Sequence, residues 1–160
     1  MRGSEFEKAL TTDGKQSFFF EVAAGRNRAA VCLPVTVIRN GPGPCVLFTG
    51  GNHGDEYEGP FAIMRMIREL GHDDLVCGTV ILMPMLNPPA VDAGTRLSPI
   101  DGKNLNRVFP GNPRGTVTDR IAHLVTSRVL PPVDVVLDLH AGGRTSDIVP
   151  SVMIHKLRNK

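Results

Sequence analysis

The tightest constraint on the fold is a repeated hand-over from a short apolar run to a glycine-rich turn. Cys45-Val46-Leu47-Phe48-Thr49 passes straight into Gly50-Gly51-Asn52-His53-Gly54-Asp55-Glu56, and Val133 to Leu139 (VDVVLDL) passes into His140-Ala141-Gly142-Gly143. Thr79 to Leu86 (TVILMPML) is a third such run. Short apolar runs bounded by Gly and Pro suit strands buried in a sheet. Ala30 to Arg39 (AVCLPVTVIR) reads as a further strand, with Pro34 marking an edge or irregular position. Between the strands the hydrophobic period changes. Ile63, Ile67 and Leu70 recur at i, i+4 and i+7 beyond Gly59-Pro60, with Arg65, Arg68 and Glu69 on another face and Gly71 as the stop. Val117, Ile121, Leu124 and Val125 mark a second helix, opened by the cap-like Thr116-x-x-Asp119. Strands alternating with helices predict an α/β fold, a mixed and largely parallel sheet flanked by helices.

The stretch from Asn87 to Arg114 is rich in Pro, Gly, Asp and Asn and reads as one long loop. A loop of that length inside a compact domain is functional or disordered. Its apolar residues and its Asn-Arg pairs favour function. In open α/β sheets ligands gather where strands hand over to loops, and His53 and His140 both stand at such places.

At 160 residues, 41% of them hydrophobic, the chain fits one domain with a real core. No apolar run approaches the roughly 20 residues that cross a bilayer. Met1 to Phe6 (MRGSEF) resembles the start of an expression vector rather than a signal peptide, and His155 to Lys160 (HKLRNK) drops the hydrophobic pattern and reads as a non-native tail. These limits leave residues 7–154 as the domain portion of the chain. The net charge is +2, but Lys156, Arg158 and Lys160 carry three of the cations, so residues 1–155 sum to −1. With one Tyr and no aromatic-studded basic stripe, neither nucleic acid nor membrane is expected as a partner. Cys32, Cys45 and Cys77 form no C-x-x-C pair and are read as buried, reduced thiols of a cytoplasmic protein.

His53 and Glu56 form an H-x-x-E pair, a spacing that in a turn brings both side chains to one side. Imidazole and carboxylate are good zinc ligands, and two His plus one carboxylate leave a fourth position open. Bound zinc acidifies water and polarises a carbonyl, which amide hydrolysis requires. Alone, the pair also arises by chance. The flanking glycines, which let the backbone turn sharply, and a second histidine at a strand end both strengthen the metal reading. Asp138 shares a strand face with His140 and is either its orienting carboxylate or a plain strand-end polar residue. Met64 and Met66 read as packing residues, and His72, His123 and His155 as structural or solvated.

Gly51-Asn52-His53-Gly54-Asp55-Glu56, then Asn104-Leu105-Asn106-Arg107-Val108-Phe109-Pro110-Gly111, then Asp138-Leu139-His140 occur in an order that resembles the succinylglutamate desuccinylase/aspartoacylase family, which is zinc carboxypeptidase-like in fold. The resemblance runs from about Ala30 to Ile154. Within the family, GGNHGDEYEGP and DLHAGGRTSDIVPSVMIH are most similar to the N-acetyl-diaminobutyrate deacetylases. The resemblance implies zinc held by His53, Glu56 and His140, Arg96 polarising the scissile carbonyl, and Asn106 with Arg107 gripping the substrate carboxylate. Outside it, Arg96 and Arg107 read as surface or salt-bridge residues. Asn104 stands where much of the family has Asp. The implied activity is a zinc-dependent hydrolase that cleaves the amide of a small N-acyl amino acid.

The family mechanism also needs a general-base glutamate C-terminal to the last metal histidine. No Glu follows His140, and Asp147 is the one later acid. The expectation is a chain truncated before that base, which costs about 10²- to 10⁴-fold in rate. The alternative is a non-catalytic zinc-binding fragment that self-associates as a homo-oligomer.

Overall fold

The computed structural model describes residues 3–22 and 30–154. In chain order its elements are α1 (Gly3–Ala9), β1 (Gly14–Val22), β2 (Val31–Asn40), β3 (Cys45–Thr49), α2 (Glu58–Glu69), β4 (Gly78–Met83), α3 (Pro88–Ala93), α4 (Val117–Leu124) and β5 (Val135–Asp138). Single 3₁₀ turns lie at His72–Asp74 and Leu105–Arg107, and α4 runs on into a π-helical turn at Val125–Val129. The sheet order is β1-β2-β4-β3-β5. β2 is antiparallel to both β1 and β4, while β3 is parallel to β4 and β5, so four strands share one direction and β2 alone opposes it. The fold is therefore mixed α/β with a largely parallel sheet.

Residue chemistry sets the two faces. Along β4, Ile81 and Met83 belong to one core cluster and Leu82 to the other, so a strand with no polar alternation is buried on both sides. The larger cluster joins the sheet to α1, α4 and the Leu105 turn through Phe6, Phe20, Val35, Leu47, Leu105 and Ile121. The smaller one seats Ile63 of α2 on Ile38 and Leu82, with Ile67 and Leu70 packed around them. Pro34 pairs with Phe19 of β1, and β4 joins β2 only from Thr36 onward, so the missing N–H falls where β2 has one neighbour.

Two findings depart from the sequence reading and another adds to it. The stretch from Asn87 to Arg114 is broken by α3 and by the Leu105–Arg107 turn. The opening segment packs: Phe6 is 1% exposed, and its ring meets Phe20 edge-on at 5.3 Å. The cysteines are free, as expected, but only Cys45 is buried. Cys32 and Cys77 are exposed, because Cys32 lies on the outward side of β2 and Cys77 precedes β4. Residues 1–2 of the vector-like segment and the whole tail 155–160, His155 included, lie outside the described residues. Among the described residues no helix is long and apolar enough to cross a membrane.

Candidate metal centre

The parallel pairing of β3 with β5 creates the site. Thr49 is in register with Asp138, and the Leu139 N–H donates to the Thr49 carbonyl at 2.8 Å, extending the ladder one residue further. Both chains then leave the sheet at its carboxyl end, one toward His53 and Glu56, the other toward His140. Gly51 takes φ +66°, a left-handed conformation that favours glycine, at the turn out of β3. The turn is tied down by Gly50 N–H to Met83 O and Asn87 N–H to Gly51 O, both 3.0 Å. Gly54 donates to Thr95 O at 2.9 Å, and a Cβ there would run into the Ala90 carbonyl. His53 and Glu56 are thus fixed between the end of α3 and the start of α2.

The geometry brings together His53, Glu56 and His140, one ligand atom from each lying within 4.8 Å of the others. His53 Nδ1 stands 2.7 Å from Glu56 Oε1, and His140 Nδ1 stands 2.9 Å from Glu56 Oε2. Both Nδ1 atoms therefore face one carboxylate. The outward nitrogens are held separately: His53 Nε2 meets Asn104 Oδ1 at 3.2 Å, and His140 Nε2 meets Asp138 Oδ2 at 2.8 Å. Asp138 also accepts from the Thr49 hydroxyl at 2.7 Å. His53 and Glu56 are 3% and 5% exposed, whereas the His140 side chain, at 32%, opens the site to solvent.

Electrostatics follow from these contacts. Burial pushes the Glu56 carboxyl up, but the Ala141 N–H at 3.0 Å and the two histidines outweigh it and hold it below the usual carboxylate value. Burial likewise opposes ionisation of Asp138, which His140 and Thr49 nevertheless pull down. The Asp138 hydrogen bond, against some loss of solvation, raises His140 to about 9. With an acceptor at each ring nitrogen, His140 is an imidazolium at neutral pH, and a cation at Nδ1 must displace that proton. Two imidazoles and a carboxylate with their free atoms turned to one point fit a divalent zinc-like ion, with an open side at His140.

The other expected residues arrange themselves around this group. Arg96 reaches it directly, Nη1 lying 3.1 Å from Glu56 Oε1 with half of its side chain exposed. Asn106 and Arg107 sit on the exposed Leu105–Arg107 turn and touch none of the three ligands in this structure, Arg107 donating to the Asn106 carbonyl instead. Their link to the centre is Asn104, which caps that turn. Sequence reasoning passed over Asn104 as a departure from a pattern. The signal it carried was its place directly before Leu105-Asn106-Arg107, where an Asx side chain caps a turn. The Ala141 N–H had no signal at all, since a backbone donor is visible only once the fold is known.

The chain is also similar to known proteins. Residues 42–160 match the succinylglutamate desuccinylase/aspartoacylase catalytic domain. The chain is 51% identical over 148 residues to the N-alpha-acetyl-L-2,4-diaminobutyric acid deacetylase of Halomonas elongata, covering 91% of this chain and 43% of the relative. It superposes on a succinylglutamate desuccinylase/aspartoacylase from Rhodobacter sphaeroides with a TM-score of 0.80 and 45% identity, over 84% of this chain and 42% of that one. A product-bound ectoine utilization protein EutE (DoeB) from Ruegeria pomeroyi gives a TM-score of 0.78 at 46% identity, over 83% and 41% of the two chains. The chain spans less than half the length of these relatives.

Proposed function

Because the chain belongs to the succinylglutamate desuccinylase/aspartoacylase family, we propose that it carries the zinc site of an N-acyl amino acid deacylase, with His53, Glu56 and His140 as the ligands. The observation that carries this reading is the convergence of both Nδ1 atoms on the two oxygens of Glu56. A zinc ion there would supply Lewis acidity at the scissile carbonyl. Asp138 orients His140, and the Ala141 N–H fixes one oxygen of Glu56. Arg96, poised at the rim, is the cation for a carbonyl oxygen that gains negative charge, the arrangement that favours a transition state over its ground state. The exposed turn of Asn106 and Arg107 offers a planar guanidinium and an amide to a substrate carboxylate.

The named deacetylase relative acts on N-alpha-acetyl-L-2,4-diaminobutyric acid, which makes an N-acetylated diamino acid the substrate to try first. The acyl-bond step also needs a general base. Metal binding at the three ligands and turnover are therefore tested separately. The second reading is a zinc-binding chain without turnover. The zinc-loaded chain assayed for acetate release from N-acetyl-diaminobutyrate distinguishes them. Slow release that disappears in Arg96→Ala supports the deacylase; full zinc occupancy with no release supports the second reading. Release from C-terminal peptide bonds instead would mean a carboxypeptidase.

A further inference from the structure

One oxygen joins two parts of the site. Asn104 Oδ1 accepts the backbone N–H of Asn106 at 3.0 Å, which identifies that atom as the amide oxygen rather than its nitrogen. The same atom lies 3.2 Å from His53 Nε2. A carbonyl oxygen can only accept, so Nε2 is the donor and keeps its proton. Nδ1 is then the one ring nitrogen whose lone pair is left for a metal, and it is the atom that faces Glu56. His53 is buried, so Asn104 rather than bulk solvent partners its Nε2. His140 has a carboxylate, Asp138, in the corresponding place, whereas His53 has a neutral amide.

We propose that Asn104 is a positioning residue of the metal centre: its Oδ1 keeps the His53 proton on Nε2, turns Nδ1 toward the cation, and pins the same ligand to the turn that presents Asn106 and Arg107. The part that concerns the cation rests on the zinc reading above; the part that concerns the His53 proton does not. A neutral amide polarises the ring N–H, and with it the Nδ1 lone pair, less than a carboxylate would. The two histidines are thus unequal, and Asn104→Asp should bind zinc at least as tightly as the native chain.

Two variants separate capping from orientation. Asn104→Ser keeps an oxygen able to cap the turn but is too short to hold His53, whereas Asn104→Asp keeps both contacts. In the metal-free ¹⁵N-labelled chain, the native protein and Asn104→Asp should show a protected His53 Nε2–H resonance, and Asn104→Ser should lose it. Zinc affinity, measured against a chromophoric chelator, should fall roughly 10- to 100-fold in Asn104→Ser and not in Asn104→Asp. A retained resonance in Asn104→Ser, a lost one in Asn104→Asp, or unchanged zinc affinity in Asn104→Ser despite the lost resonance overturns the proposal. If the native chain binds no zinc, the zinc reading falls instead, and the resonances still decide what Asn104 does to His53.

Discussion

At the scale of single residues, the centre depends on two kinds of position that sequence reveals unequally. Candidate ligands announce themselves by chemistry: His53, Glu56 and His140 are zinc-ligating types at turns after strands, and the structure brings all three together. Positions that matter by lacking a side chain are quieter. Gly54 separates His53 from Asp55 and Glu56 while its backbone lies against the Ala90 carbonyl. Gly54→Ala must therefore push the ligand turn off α3. The expected loss is about 1–3 kcal/mol, as for other overpacked sites, together with weaker zinc binding. Thermal unfolding and zinc titration of the variant check this; a native melting temperature with native affinity would show that the contact relaxes freely.

At the scale of elements, the chain between β4 and α4 shows why a loop reading was natural and incomplete. Pro88-Pro89 occupies the first turn of α3, where a missing N–H is harmless, and Gly94 ends the helix in a left-handed conformation. Six residues are too few for a hydrophobic period to emerge. The rest is organised by Asp101, which accepts from the Thr118 N–H at 3.0 Å, the Thr118 hydroxyl at 2.7 Å and the Lys103 N–H at 3.3 Å, fastening the loop to the first turn of α4. Burial opposes its ionisation, but these donors and Thr116 hold its pKa below the usual carboxylate value. A group depressed on folding stabilises above its unfolded pKa, about 3.9, and that contribution disappears as pH falls through the lower folded value. Asp101→Asn is thus expected to be less stable at neutral pH and to show a flatter acid limb below about pH 4. Parallel denaturant curves at pH 7 and pH 3.5 test it, and an equal difference at both pH values would contradict it. By contrast β3, α2, β4, α4 and β5 were legible because each carries a full strand or helix period. β1 was not read: its Phe18-Phe19-Phe20 run breaks the alternation that marks a half-buried strand, and its place beside β2 is set by long-range pairing.

At the scale of the whole molecule, the sheet ends in an edge that shapes how the chain behaves in solution. Among the described residues β5 pairs with β3 alone, and Val135, Val136 and Leu137 are 50%, 49% and 39% exposed. Val149, Val152, Met153 and Ile154 are more exposed still. An open apolar edge is a template for further pairing, so self-association that grows with concentration is expected. Val136→Lys should suppress it in sedimentation velocity, and an unchanged profile would place the contact elsewhere. The zinc reading sits one step further along the same strand, at the hand-over from β5 to His140, and it is tested most directly by metal content. Zinc bound per chain is measured by titration in the native protein and in His53→Ala. One equivalent is expected in the native chain and a large loss of affinity in the variant; equal, tight binding by both would contradict His53 as a ligand.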